Sequence, residues 1–206
     1  MEQKKTRVRY VDIFKTIGIV CMVMGHTSMC PSIFARWFTC FYMPMFFWIS
    51  GYFFHCESLW KFIIYKAKKL LVPYFVFGFL SLAVFYYVQA LPGKVSLEPY
   101  IKAVLFESSS SSFPISGALW FLQALFWAEV YFAILKKTNS EIVLLVGSII
   151  LGVVGTNLGR HISFRLPWNM DSAMVGESFI YIGYLCRKFQ NNKIIKKLFE
   201  LPWYFI

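Results

Sequence analysis

The amino-acid sequence predicts an all-α, polytopic transmembrane helix bundle of about six spans, with its N-terminus in the cytoplasm. Composition is the first ground: 58% of the 206 residues are hydrophobic and 15% are charged, against about a quarter charged in an ordinary soluble domain. The second ground is arrangement. The apolar residues fall in blocks of about 15 to 22, close to the ~20 that cross the hydrocarbon as a helix. The third is the placement of lysine and arginine, which gather at alternate junctions between blocks.

The blocks lie at residues 11–30, 32–54, 70–90, 118–135, 141–158 and 172–186. The first follows MEQKKTRVRY, which resembles the basic opening of a signal peptide. No small-residue cleavage site follows, so the block reads as a retained first span. The second carries Pro44 and Gly51, residues that more plausibly shape a span than touch substrate. The third follows the basic run KFIIYKAKK. Residues 91–117 form the longest connection; their SSSSS run reads as a flexible polar loop, and VSLEPYIKAVLF suits a short interfacial helix. The fourth block opens on LWFL. The fifth and sixth are short for a span and fit an untilted helix or a locally thinned bilayer.

Fifteen of the 21 Lys and Arg lie before the first block or after the second, fourth and sixth. Cytoplasmic loops carry that excess, so the N-terminus is expected inside. Topology thereby accounts for a formal charge of +11, which in a soluble protein would suggest nucleic acid. Membrane lipids are the expected partner and nucleic acid is not. The five cysteines are scattered without a CxxC pair, so neither a disulfide framework nor a metal site is expected. No repeat or boundary divides the chain, and residues 1–206 read as a single membrane domain. Its last residues, LPWYFI, look like the start of a seventh apolar segment, from which we expect a truncated domain.

Inside the first block stand three ionisable residues. Lys15 and His26 are eleven apart, and at about 100° per residue they return to within about 20° of each other. Asp12 lies three before Lys15, a spacing at which helical neighbours pair, and Ile19 and Met22 continue the stripe. The helical rise sets His26 about 16 Å beyond Lys15, toward the outer leaflet. Plain alternatives exist: Lys15 snorkelling to the interface, and His26 hydrogen-bonded to a neighbouring helix. Against both stands the cost of a charge in the bilayer, at least ~2.5–3.5 kcal/mol, which turns such groups toward a bundle interior or wet cavity.

Neutral imidazole is a natural general base near pH 7. It would take the proton from a hydroxyl that attacks a thioester or other acyl donor, while Asp12 and Lys15 position a donor arriving from the cytoplasm. The chain has no nucleophile elbow, no HExxH and no Gly-rich phosphate loop, so hydrolase and kinase chemistry lacks support. Glu129 and Glu177 fall within the fourth and sixth blocks, either as protonated structural groups or as lining of a site. Asp171 either meets a sugar or caps the next helix. Trp120 either stacks on an acceptor ring or anchors the interface.

The stretch RYVDIFKTIGIVCMVMGHTS resembles the opening of the membrane-bound acyltransferase 3 family, in particular its fucose 4-O-acetylase-like branch. CFYMPMFFWISGYFF is similar to that family's second-span block, GALWFLQALFWAEV to its Leu-Trp-Phe-Leu block, and RLPWNMDSAMVGESFIYIGY to its later Leu-Pro and Gly-Tyr span. Together these cover residues 9 to 184 in the family's order. Two departures stand out. Tyr42 occupies the place of a second family histidine, and tyrosine is a poor base at neutral pH. Lys15 replaces an arginine and so lacks its bidentate fork. The family usually runs to about ten spans, so the resemblance covers an N-terminal portion.

The resemblance implies an integral membrane O-acyltransferase. An acyl group, most commonly acetyl, would pass from cytoplasmic acyl-CoA to a hydroxyl of a carbohydrate or lipid-linked glycan in the cell (inner) membrane. No tightly bound cofactor is implied; acyl-CoA is the donor substrate. His26, Lys15 and Asp12 would be catalytic, and Tyr42, Glu129, Trp120, Asp171 and Glu177 would bind substrate. Lys66, Lys68 and Lys69 would meet the phosphates of CoA, with positive-inside topology and headgroup contact as the plainer reading. The rival functions are a transport or flippase-like component, using the carboxylates as a path, and an inactive truncated remnant.

Overall fold

The computed structural model describes residues 9–25, 32–90, 98–107, 117–161 and 166–190, and among these every regular element is helical. Helix α1 spans Arg9–Gly25 and α2 spans Ser32–Tyr52. Helices α3 (Leu59–Lys66) and α4 (Val72–Phe85) belong to one rod, because the backbone stays helical from Leu59 to Ala90 through π turns at Ala67–Leu71 and Tyr86–Ala90. The first π turn has a local cause. Pro73 lacks an N–H, and its ring presses on the carbonyl four residues back; a widened turn absorbs both defects. This rod begins eleven residues before the apolar block expected at 70–90, because KFIIYKAKK contains no helix breaker.

A short α5 (Glu98–Lys102) continues as a π turn at Ala103–Glu107, within the stretch expected to form an interfacial helix. Then come α6 (Trp120–Lys137), α7 (Glu141–His161) and α8 (Met170–Phe189). The SSSSS run and the LPWYFI ending lie outside the described residues.

Side-chain pairings fix the directions. Phe47 meets Phe121 at 5.1 Å and Phe54 meets Phe132 at 4.7 Å between ring centroids, so α2 and α6 run parallel. Phe47 also lies against Gly176, and Gly51 against Ile180, so α8 runs parallel to both. In contrast, Ser148 bonds Glu177 while Gly155 faces the Asp171 carbonyl, which makes α7 antiparallel. Helix α1 is antiparallel to α2, with Gly18 against Met45 and Val11 clustered with Ile49 and Tyr52. The bundle thus has a Trp120 end, where α2, α6 and α8 begin, and a Lys136 end, where they finish.

Helix α8 packs on α2, α6 and α7, and the core lies among them around Ala124, Ala128, Phe132, Leu144 and Ile180. Closest approach is between α2 and α8. A Cβ on Gly51 would sit 1.9 Å from the Ile180 carbonyl oxygen, and one on Gly183 would sit 2.0 Å from that of Trp48. Only glycine permits backbones to touch this way, a packing device suited to helices in lipid.

The outer surface is apolar. Ile13, Ile17 and Val20 of α1, Val76, Phe79 and Leu80 of α4, and Ile142, Ile149, Ile150 and Val153 of α7 are exposed. Soluble monomers rarely expose contiguous apolar surface on this scale. Among the described residues, Leu59–Val88 and Glu141–Arg160 are long and apolar enough to cross a membrane. The remaining helices carry interior polar groups, or are short, and so read as less hydrophobic than their outward faces. The Lys136 end is polar: Lys136 and Lys188 both bridge to Glu141, at 3.2 and 3.0 Å.

Candidate active site

Two buried carboxylates mark the interior. Glu129 projects from the middle of α6 and is 1% exposed. Its Oε1 accepts from Ser50 Oγ of α2 and from Lys66 Nζ of α3, so one oxygen ties three helices together. Its Oε2 is buried without a hydrogen-bond partner. Glu177 on α8 is fully buried; Ser148 of α7 donates to its Oε1 at 2.8 Å, while its Oε2 has no partner. Neighbouring Ser178 donates to the Ser148 carbonyl at 3.1 Å and completes a polar seam between α7 and α8.

The Trp120 end holds an open groove of about 550 Å³ between α2, α7 and α8, with Trp120 at its edge. Met43, Phe47, Val175 and Phe179 give it an apolar wall. Thr39, Thr156, Arg160, Asp171 and Ser172 are its polar and charged lining residues, Asp171 only 4% exposed. Pro44 lines it too, and since proline has no N–H, the Cys40 carbonyl loses its usual helical donor on this wall. At the mouth of α8, Trp168 and Asn169 both have positive φ, 57° and 52°. Such left-handed residues cost about 1–2 kcal/mol each. Trp168 is held there by a 2.7 Å bond from Nε1 to the Leu105 carbonyl, and Asn169 by Gln123 at 3.4 Å.

A second cavity, of about 650 Å³, opens at the Lys136 end between α3 and α6. Ser58, Ile63, Ala133, Lys136 and Lys137 are among its lining residues. Its floor lies one helical turn from the Lys66–Glu129 pair, since Ile63 precedes Lys66 by three and Ala133 follows Glu129 by four. The bundle therefore has an apolar groove at one end, a lysine-edged cavity at the other, and buried carboxylates between.

Residues 8–206 match the family model described as an acyltransferase domain, that of acyltransferase 3. The chain belongs to the acyltransferase 3 family. No curated protein and no solved structure matches it. Membership makes acyl transfer the activity class of the chain, and the resemblance drawn from its four sequence blocks is thereby borne out at the level of the family.

The acyltransferase 3 domain distributes the expected residues unevenly. Trp120 and Asp171 share the groove; Glu129 and Lys66 share an ion pair. Glu177 and Tyr42 are buried but line neither cavity. Lys69 is exposed, its Nζ 5.6 Å from the Tyr65 ring centre. On α1, Asp12 and Lys15 are half-buried, and Lys15 Nζ rests 5.3 Å from the Phe53 ring centre; neither lines the two cavities. Ile19 on the same stripe is half exposed, at 50%. His26 lies outside the described residues, just beyond the last residue of α1.

Sequence reasoning missed Ser50 and Ser148, the hydroxyls that hold the two carboxylates, and no local signal marks them. Arg160 and the glycine face of α7 were detectable. Gly155 and Gly159 stand at the small-xxx-small spacing that thins a helix face.

Proposed function

We propose that the protein is a multi-pass O-acyltransferase of the cell (inner) membrane. It moves an acyl group, acetyl in the simplest case, from cytoplasmic acyl-CoA to a hydroxyl of a carbohydrate or lipid-linked glycan. The observation that carries this reading is the acyltransferase match over residues 8–206. The opposed directions of α1 and α2 and of α6 and α7 suit a chain of about six crossings, and the Lys and Arg excess argues for the N-terminus inside, with the lysine-rich Lys136 end cytoplasmic.

In this mechanism His26 is the general base. Its neutral imidazole takes the acceptor hydroxyl proton as that oxygen attacks the thioester carbonyl. The new C–O bond forms, the C–S bond breaks, and the imidazolium returns its proton to the departing thiolate. Asp12 and Lys15 steer the donor along α1, and Lys66 and Lys69 meet its phosphates. Trp120 and Asp171 present the acceptor from the groove, while Tyr42, Glu129 and Glu177 shape the interior between. A transport path through the two carboxylates has less support, because a serine holds each of them and neither lines the two cavities described above.

The test follows transfer of radiolabelled acetyl from acetyl-CoA to the glycolipid fraction of membranes containing the protein. General-base catalysis contributes about 10²–10⁴-fold, so His26→Ala should lower transfer at least ~100-fold while membrane insertion is unchanged. Full activity in that variant removes the mechanism.

A further inference from the structure

Helix α3 is eight residues long and has a joint at each end. Residues 53–58 before it are non-helical, and the π turn at Ala67–Leu71 follows it directly. Departures from α geometry inside a helical rod often mark hinges and functional sites. Trp60, Ile64 and Tyr65 are exposed, so apolar packing fixes little of α3. Its buried residue is Phe62, whose ring lies 5.3 Å from that of Phe54. The second hold is ionic. Lys66, the last residue of α3, reaches to Glu129 of α6, the carboxylate that Ser50 also holds. The cavity of about 650 Å³ lies between the same two helices, with Leu59, Trp60 and Ile63 of α3 and Ala133, Lys136 and Lys137 of α6 in its lining.

We infer that α3 is a lid over this cavity, latched by the Lys66–Glu129 pair and released when a phosphate group of the acyl donor takes Lys66 from the carboxylate. An ion pair is a poor choice for stability alone, since apolar residues of similar volume often hold a buried site as well or better. What it offers instead is exchange. The Lys66 side chain keeps 22% exposure and that of Glu129 only 2%, so the lysine is the partner open to an arriving anion. Breaking the pair with nothing in return strands a buried charge, which keeps the lid shut without ligand. A phosphate neutralises Lys66, and the tilt of α3 admits water to the carboxylate that Ser50 still holds. Glu129 is thus a positioning residue that acts through Lys66. The donor's apparent affinity is then reduced in proportion to the fraction of protein that stands open. The inference rests on the acyl-transfer reading for its trigger, since acyl-CoA is the phosphate-bearing donor proposed there.

The experiment measures the distance between spin labels at Trp60→Cys and Lys137→Cys in the full chain, with the five native cysteines replaced by serine and the protein in phosphatidylcholine bilayers. An eight-residue helix is ~12 Å long, and a ~25° tilt about the π turn carries its far end ~5 Å. Without ligand a single short distance is expected. CoA should add one longer by about that amount, and pantetheine, which has no phosphate, should not. Glu129→Gln should show the longer distance without CoA and bind radiolabelled CoA ~10-fold tighter, because the closed state no longer withholds Lys66. A glutamate with only a structural role would give weaker binding on replacement. Should Glu129→Gln fail to fold, Lys66→Met combined with Glu129→Leu carries the test, because an apolar latch stays at the short distance with CoA present.

An unmoved α3 in the parent with CoA bound overturns the inference. So does equal lengthening by pantetheine, or by phosphatidylglycerol added to the bilayer without CoA, or weaker CoA binding by Glu129→Gln. Lengthening by CoA in the apolar-latch variant overturns it as well. The two readings fail separately. Lengthening by CoA without acetyl transfer leaves the lid standing and removes the enzyme. Acetyl transfer with an unmoved α3 does the reverse.

Discussion

Replacing Gly51 or Gly183 with alanine tests the packing of this bundle at its tightest point. An added Cβ at Gly51 falls 1.9 Å from a carbonyl oxygen and 2.6 Å from its carbon; at Gly183 the oxygen is 2.0 Å away. Ordinary contact begins at 3.4 Å, so each variant is about 1.5 Å short of room. The obstacle in both cases is backbone inside a helix and cannot rotate aside. Helices α2 and α8 must therefore separate, taking apart the Phe47–Gly176 contact and the core around Ile180.

Overpacking in a well-filled core costs typically ~1–3 kcal/mol and occasionally more. In lipid the loss is not offset by hydrophobic re-association, because packing is itself the driving force between helices. We expect about 3 kcal/mol for either single variant. The double variant should cost clearly less than the sum, since helices parted by one methyl already accommodate the other. Reversible unfolding in mixed detergent micelles measures this. Gly159→Ala is the control: nothing lies within 4 Å of its Cβ, and the change should be neutral or slightly stabilising through helix propensity. If Gly51→Ala and Gly183→Ala unfold within about 0.5 kcal/mol of the parent, the close backbone approach of α2 and α8 is wrong.

Other expectations concern the interior polar groups. Glu129→Leu strands the Lys66 ammonium and should destabilise by roughly 3 kcal/mol, the low end for a broken buried pair because Lys66 keeps some exposure. Adding Lys66→Met should recover most of that loss in the same unfolding assay; no recovery would mean the pair is not the cause. Ser148→Ala removes the donor to Glu177 and should cost about 1–3 kcal/mol, whereas Ser178→Ala, whose bond goes to a backbone carbonyl, should cost about 1 kcal/mol. Trp168→Phe keeps the ring but loses the bond to Leu105, and limited proteolysis should then cut between α5 and α6 more readily than in the parent.

Helix positions were largely legible in the chain, because apolar blocks and helices share a cause. The blocks at 32–54, 141–158 and 172–186 correspond to α2, α7 and α8 with ends shifted by a few residues. What hydropathy could not see is the helical reach of KFIIYKAKK, where lysines lower the apolar score while favouring the helix itself. The family was readable because its signal lies in local blocks. Partnerships were not. Nothing near Glu129 in the chain indicates Ser50 or Lys66, which arrive from 79 and 63 residues away. The left-handed pair Trp168–Asn169 was hidden for the same reason: tertiary bonds to Leu105 and Gln123 hold a tryptophan in a conformation its own chemistry disfavours.

Helix α8 shows why such partnerships matter for the site. Asp171, Glu177 and Gly183 are spaced by six, and six residues turn a helix by about 240°. The three therefore look in three directions roughly 120° apart. One faces the groove, one the serine of α7, one the backbone of α2. A helix engaged on every side cannot present a clean apolar stripe, which is why it reads as less hydrophobic than α7 while lying deeper in the bundle. It also cannot shift on one face without disturbing the others, so the Asp171 wall of the groove is rigidly placed. Helix α1 is the opposite case, packed chiefly on α2 with much of its surface exposed. If acyl transfer needs motion to bring donor and acceptor together, the mechanical contrast locates it: α1, with Lys15, moves against a fixed α8. Joining cysteines at the two facing positions (Gly18→Cys, Met45→Cys) with a short thiol cross-linker should then slow transfer at least ~10-fold without changing membrane insertion, and equal rates before and after cross-linking would show that α1 need not move.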